Sequence, residues 1–286
     1  MTIKDIYMRD PFVFVENGTA YLIGTSDENI WSGKADSFLG YKSTDLVNFE
    51  GPYVLFKNTD DFWADENFWA PELHKIDGKY YIFASFKNVD RPRASQALVA
   101  STPFGKYTPL AKPFTPKDWE CLDATYFEEN GRKYSIFCRE WLQVHDGEIC
   151  VGELNDDLTE LKNIKKLFKA SDAQWAQYFY NGDDKNKKYV TDGPFIYQCE
   201  NGRLLMLWSS NGKEGYALGV AYSDNGILGE WKQLEEPLFK DDGGHGMIFS
   251  FQGKKYLILH TSNKTPLSER PYLIEVIEEN NMIKIK

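Results

Sequence analysis

Five times along the chain an apolar run breaks at a two-residue turn ending in glycine and then resumes. Asn17-Gly18 sits in FVFVENGTAYLIG, Asp77-Gly78 in ELHKIDGKYYIFAS, Asn130-Gly131 in TYFEENGRKYSIFC, Asn201-Gly202 in PFIYQCENGRLLMLWS and Gln252-Gly253 in GMIFSFQGKKYLILH. Asn-Gly and Asp-Gly favour tight hairpins because both central residues of a type I′ turn take positive φ. The five glycines are 60, 53, 71 and 51 residues apart. A second turn follows each of the first four hairpins. Ser43, Ser101, Asn155 and Ser223 lie 25, 23, 24 and 21 residues beyond the glycine, where a third strand would pass into a fourth. Long helical periodicity is nearly absent. Four strands per unit and five units describe an all-β chain: a five-bladed β-propeller with four antiparallel strands per blade, one domain over residues 1–286. A two-sheet sandwich also has many short strands, but it has no reason to repeat at this interval.

The repeat aligns the blades with one another. Eight residues before each hairpin glycine stand Asp10, Ala70, Asp123 and His245; blade four carries one extra residue in QCENG, so its equivalent is Gly193, next to Asp192. The first strand of a propeller blade lines the central channel, so these positions are expected to ring one mouth of it. Acids crowded there perturb one another, and one can hold a proton near neutral pH while another stays ionised. That division of labour is what glycoside hydrolysis requires. Other chemistries lack their motifs: the chain has no GxSxG elbow, no HExxH, no GxGxxG after a strand and no P-loop.

Composition narrows the partners. The net charge is −10 and the pI about 5.0, a balance that disfavours nucleic acid and anionic membrane and leaves neutral or cationic ligands open. The chain opens MTIKDIYMRDPF, without a basic segment leading into an apolar one, and no apolar run approaches a membrane span. Cys121, Cys138, Cys150 and Cys199 form no CxxC pair and no zinc spacing, and are expected to be buried free thiols. These features together suggest a cytoplasmic protein.

The segments RDPFV, FWAPELHK, LDATYFEENGRKY, TDGPFIYQCENGRLLMLWSS and GGHGMIF, in this order and spacing, resemble glycoside hydrolase family 43, from about residue 8 to the C-terminus. The resemblance implies an inverting glycosidase on a five-bladed propeller, with Asp10 as general base and Asp123 as the group that raises and orients the acid. The general acid of that family is usually a Glu in an EGP motif. Here the motif reads TDGP, so Asp192 stands in its place, shorter by one bond or about 1.5 Å. Glu140, in CREWLQ at the end of the following strand, is the alternative acid. Trp69 in the WAP motif is the expected sugar platform, with Phe12 and Trp141 as further walls. Arg9 and Arg270 are candidates either for sugar hydroxyls or for pairing with the acids. The resemblance also implies that His245 contacts a channel ion through water, commonly calcium, which would be structural, with no cofactor in the chemistry. The activity so implied is exo-acting release of arabinofuranosyl or xylosyl units from short oligosaccharides. A β-galactosidase or galactofuranosidase on the same fold is the alternative, as is an inactive sugar-binding propeller, for which the Asp192 departure speaks.

Overall fold

The computed structural model describes residues 1–27, 30–31, 33–59, 61–262 and 267–286. These residues form five four-stranded antiparallel sheets, each a simple meander. Blade one runs through Arg9–Glu16, Thr19–Thr25, Ser37–Ser43 and Glu50–Lys57. Blade two holds Glu66–Ile76, Lys79–Asn88, Arg91–Ala100 and Thr108–Pro109, and blade three Cys121–Glu129, Arg132–Arg139, Glu148–Leu154 and Leu161–Lys169. Blade four holds Asp192–Gln198, Leu204–Gly212, Gly215–Ser223 and Lys232–Gln233, and blade five Gly243–Phe251, Lys254–Thr261, Arg270–Glu279 and Met282–Ile285. The five-bladed expectation is met blade for blade. Ser43, Asn155 and Ser223 cap the turn between the third and fourth strands, accepting from backbone N–H groups that follow them.

The hairpin turns follow their sequence. Asn17, Asp77, Asn130 and Gln252 take φ of 48 to 53°, and the glycine after each is also left-handed. Blade four differs, as its extra residue requires. There Gly202 alone is left-handed, and Cys199 and Arg203 close a longer loop by a backbone bond of 2.8 Å.

The inner strands are apolar on both faces because each sheet is stacked between two others. Leu204 to Ser210 in the second strand of blade four are all buried. The apolar clusters therefore lie in the seams. One joins blades one and two with Met247, Phe249 and Ile258 of blade five, and the others fill the seams between blades two and three, three and four, and four and five. All four cysteines are buried and free. Among the described residues the only α-helix is Trp141–Val144, and no helix is long and apolar enough to cross a membrane.

The ring closes without strand exchange. Blade five is completed by its own sequential strands, ending with Met282–Ile285. Residues before Arg9 lace the seam between blades one and five instead. Met1 and Phe49 exchange backbone bonds, Met8 N–H donates to the Glu269 carbonyl, and Arg270 Nε donates to the Lys4 carbonyl. Ile6 and Met8 are wholly buried there. Met8→Ala should therefore lower the unfolding free energy by about 2–5 kcal/mol, read from the urea midpoint at unchanged slope.

Candidate active site

Each blade enters its first strand through the same distortion. Register slips by one residue between Arg9 and Phe12, Trp69 and Glu72, Leu122 and Thr125, Asp192 and Phe195, and Gly244 and Met247. One residue in each bulge is left-handed: Asp10 at φ 50°, Ala70 at 45°, Asp123 at 54°, Gly193 at 52° and His245 at 49°. These are the five positions that the hairpin count aligns. A left-handed residue with a side chain is strained, so four of the five bulges are held there by their surroundings.

What holds them is a chain of bonds around the mouth. The bulge N–H of Ala70 donates to Thr25 Oγ1 at 2.8 Å, Asp123 N–H to Ser85 Oγ at 2.9 Å, His245 N–H to Ser209 Oγ at 2.7 Å and Asp10 N–H to His260 Nδ1 at 3.1 Å. In every case the acceptor belongs to the second strand of the preceding blade. At the fifth seam the Gly193 N–H donates at 3.0 Å to Asp123 Oδ2.

The carboxylates meet as the ring requires. His245 Nδ1 lies 3.1 Å from Asp10 Oδ1 and 3.8 Å from Asp123 Oδ2. Its ring lies so close over Gly193 that a Cβ there would sit 2.6 to 2.9 Å from ring atoms. Asp10 Oδ2 accepts from Thr25 Oγ1 at 2.6 Å, and Oδ1 lies 3.5 Å from His260 Nδ1. Asp192 Oδ2 accepts from the Tyr216 hydroxyl at 3.0 Å, and the Tyr216 ring stacks on His260.

The electrostatics divide the acids. Burial alone would raise Asp10, but the His245 charge and hydrogen bond, with Arg9, outweigh it and hold its carboxyl well below the usual range. Asp123 and Asp192 both move the other way, chiefly by burial, with the Asp192 charge acting on Asp123 and the Asp10 charge acting on both. Two such neighbours titrate as a pair, and the pair retains a proton above the ordinary carboxylate range. Burial would lower His245, but the surrounding acids win and push it up to about 9, so it is an imidazolium at neutral pH.

That imidazolium bears on the ion expected near His245. Among the described residues no group of three or more His, Cys, Asp and Glu is arranged to hold a metal ion. Nδ1 of His245 is turned to Asp10 and Asp123. The side chains present therefore do not form a direct calcium site.

Above the ring opens a cavity of about 850 Å³, lined by Arg9, Asp10, Trp69, Asp123, Glu140, Trp141, Asp192 and His245 among others. Eight of the residues singled out in the sequence thus share one chamber. Glu140 is 7% exposed and paired with the buried Arg93. Burial raises its pKa and Arg93 opposes the rise. Arg93 also donates to Asn67 Oδ1 and lies 4.2 Å over the Trp69 ring, whose Nε1 donates to the Ile30 carbonyl. The Trp69 ring is thus fixed in place.

Two expectations are corrected. Phe12 is not a wall of the chamber: it is 6% exposed and packs beneath the ring against His74 and Phe195, because the bulge at Asp10 reverses the alternation of the strand. Arg270 pairs with no acid of the ring and is turned outward to the carbonyls of Lys4, Leu267 and Glu269. Arg9 does line the chamber, fixed by Glu269 at 2.9 Å. Sequence reasoning missed Thr25, Tyr216, His260, Arg93 and the aromatic rim formed by Trp31, Tyr178 and Phe179. A signal existed for some of them: Thr25, Ser85, Cys138, Ser209 and His260 each stand seven residues after a hairpin glycine.

A low carboxylate beside a raised carboxyl pair, under an aromatic-walled chamber, is an arrangement that glycoside hydrolysis could use. The chain belongs to the glycosyl hydrolases family 43, whose model matches residues 3–278. It is similar to the endo-arabinase from Bacteroides thetaiotaomicron VPI-5482, with a TM-score of 0.89 at 35% identity and 98% of each chain covered. It is also 24% identical over 185 residues, 60% of this chain, to Alpha-L-arabinofuranosidase 43 of Humicola insolens, and 23% identical over 313 residues, 98% of this chain, to a xylosidase/arabinosidase of Thermoclostridium stercorarium. The match spans only 36% of the Humicola protein and 64% of the Thermoclostridium one.

Removing Arg93 would leave Glu140 buried without its cation. Arg93→Ala should cost about 3–5 kcal/mol of stability, and a chemical denaturation curve within 1 kcal/mol of wild type would show that the pair is not a structural clamp.

Proposed function

We propose that this glycoside hydrolase is an inverting, exo-acting enzyme that removes arabinofuranosyl units from the ends of short oligosaccharides, with xylosyl units second. The observation that carries the reading is the opposed tuning of Asp10 and the Asp123–Asp192 pair in one chamber. Asp10, kept ionised, is the general base that takes a proton from water as the water attacks the anomeric carbon. Asp192 is the general acid that protonates the departing glycosidic oxygen. Both members of the pair accept a hydrogen bond and feel the His245 charge, Asp123 from the Gly193 N–H and Asp192 from the Tyr216 hydroxyl, so they share the proton, and the role of acid falls to Asp192 by the place of TDGP in the family's pattern. Glu140 is the poorer candidate for the acid, because its carboxylate is engaged by Arg93.

Arabinofuranoside is favoured over xyloside by the relatives named above. Exo action is supported by the walls of the chamber, which rise from blade one at Ile30–Trp31, from blade three at Trp141, from Gln177–Phe179 beyond it and from blade four at Asn211–Tyr216. A site walled on several sides receives a chain end better than a chain middle. Trp69 would stack on the terminal sugar, and the half-exposed Tyr178 at the rim would meet the next one.

Three outcomes are expected. In a screen of aryl α-L-arabinofuranoside, β-D-xyloside, β-D-galactoside and β-D-galactofuranoside, the first is cleaved fastest and Asp10→Asn lowers kcat by about 10²–10⁴-fold. Full activity in that variant would reject the base, and silence on all four sugars together with natural arabino-oligosaccharides would point to a binding propeller. Linear arabino-oligosaccharides should release free arabinose from the first minutes, inverted at the anomeric carbon by NMR; early accumulation of longer products would make the enzyme endo-acting. The pH profile of kcat/KM should be lost on the alkaline side as the raised acid pair deprotonates, and kept far into the acid side, where Asp10 remains ionised. A basic limb in the ordinary carboxylate range would remove Asp192 as the acid.

A further inference from the structure

The chain of bonds around the channel mouth is regular at four seams and irregular at one. Thr25, Ser85, Ser209 and His260 each pair, in their own sheet, with the residue before the bulge, and each accepts the bulge N–H of the next blade. The fifth member of the set is Cys138, paired opposite Leu122 in blade three. A thiol is a weak acceptor. The N–H it would receive belongs to Gly193, and that N–H goes to Asp123 Oδ2 at 3.0 Å. The substitution of sulfur for oxygen therefore falls at the one seam where the two tuned acids meet. Gly193 directly follows Asp192, so the bond ties the Asp123 carboxylate to the backbone that carries Asp192.

The geometry points to Cys138 as a positioning residue: by declining the Gly193 N–H it hands that bond to Asp123 and fixes the Asp123 carboxylate across the seam beside Asp192. A hydroxyl at 138 would accept the bond, as its counterparts do at Ala70, Asp123 and His245, and would release Asp123 Oδ2 to turn elsewhere in the ring. Cys138 is completely buried and does not line the chamber, and its thiol also meets the Thr191 hydroxyl, so any effect it has on catalysis passes through these neighbours. The consequence for catalysis rests on the reading of Asp192 as the acid; the placement of the bond does not.

The test compares wild type with Cys138→Ser and Cys138→Ala. If the thiol merely fills space, both changes cost stability, serine at least as much as alanine because its hydroxyl is buried, and kcat per folded molecule is unchanged in both. On the present reading kcat per folded molecule separates the two. Cys138→Ala, which cannot accept, keeps kcat within about twofold, whereas Cys138→Ser loses about tenfold in kcat with KM little changed, mainly on substrates with poor leaving groups. In the same proteins the Gly193 amide proton, followed by ¹⁵N-edited NMR, stays in place in the alanine variant and shifts upfield in the serine variant as a carboxylate acceptor is exchanged for a hydroxyl. A Gly193 amide that does not move in Cys138→Ser, or a serine variant as active as the alanine one, overturns the proposal. Should wild type cleave no glycoside, the functional reading fails, and the amide comparison still decides where the bond lies.

Discussion

Everything at the mouth depends on a backbone N–H finding an acceptor on the neighbouring blade. Each blade is a complete sheet with its own ladder, and the apolar seams fix the blades only as greasy faces against greasy faces. Such packing is tolerant of small slides. The bonds from the bulges to Thr25, Ser85, Asp123, Ser209 and His260 are directional and buried, so a slide at any seam would strand a donor. They convert a stack of sheets into a ring of fixed radius. Asp10 and His245, at opposite ends of the chain, come within 3.1 Å because that ring closes.

The acids stand at two kinds of position on the ring. Asp10 and Asp123 occupy bulge positions and face His245, which is the bulge residue of blade five. Asp192 stands one residue before its bulge, equivalent to Arg9, Trp69, Leu122 and Gly244. Arg9, Trp69, Leu122 and Asp192 all line the chamber.

Much of this arrangement was legible in the sequence, because a repeat makes its own alignment. Counting from the hairpin glycines identified all five bulge residues, including the one-residue offset in blade four. The same count run forward would have found the acceptors, but Thr, Ser, Cys, Ser and His have no common chemistry until the bond that most of them make is known. Phe12 packs beneath the ring because the bulge at Asp10 resets the alternation of the strand, which residue types alone do not reveal. Arg93 and Tyr216 were invisible for a different reason: their partners, Glu140 and Asp192, are brought to them by folding across a seam or a sheet, and nothing periodic in the chain announces such a pairing.

The left-handed bulge also sets which side chains a propeller of this kind can place at its axis. Positive φ excludes β-branched residues and is tolerated best by glycine, asparagine, aspartate and histidine. The five occupants here are Asp, Ala, Asp, Gly and His. The vocabulary permitted by backbone sterics is thus rich in proton acceptors and donors. A ring shaped only to close a sheet stack would sample acids and imidazoles at its centre far more often than an ordinary strand end does, and proton-transfer chemistry would lie within a few substitutions of an inert scaffold.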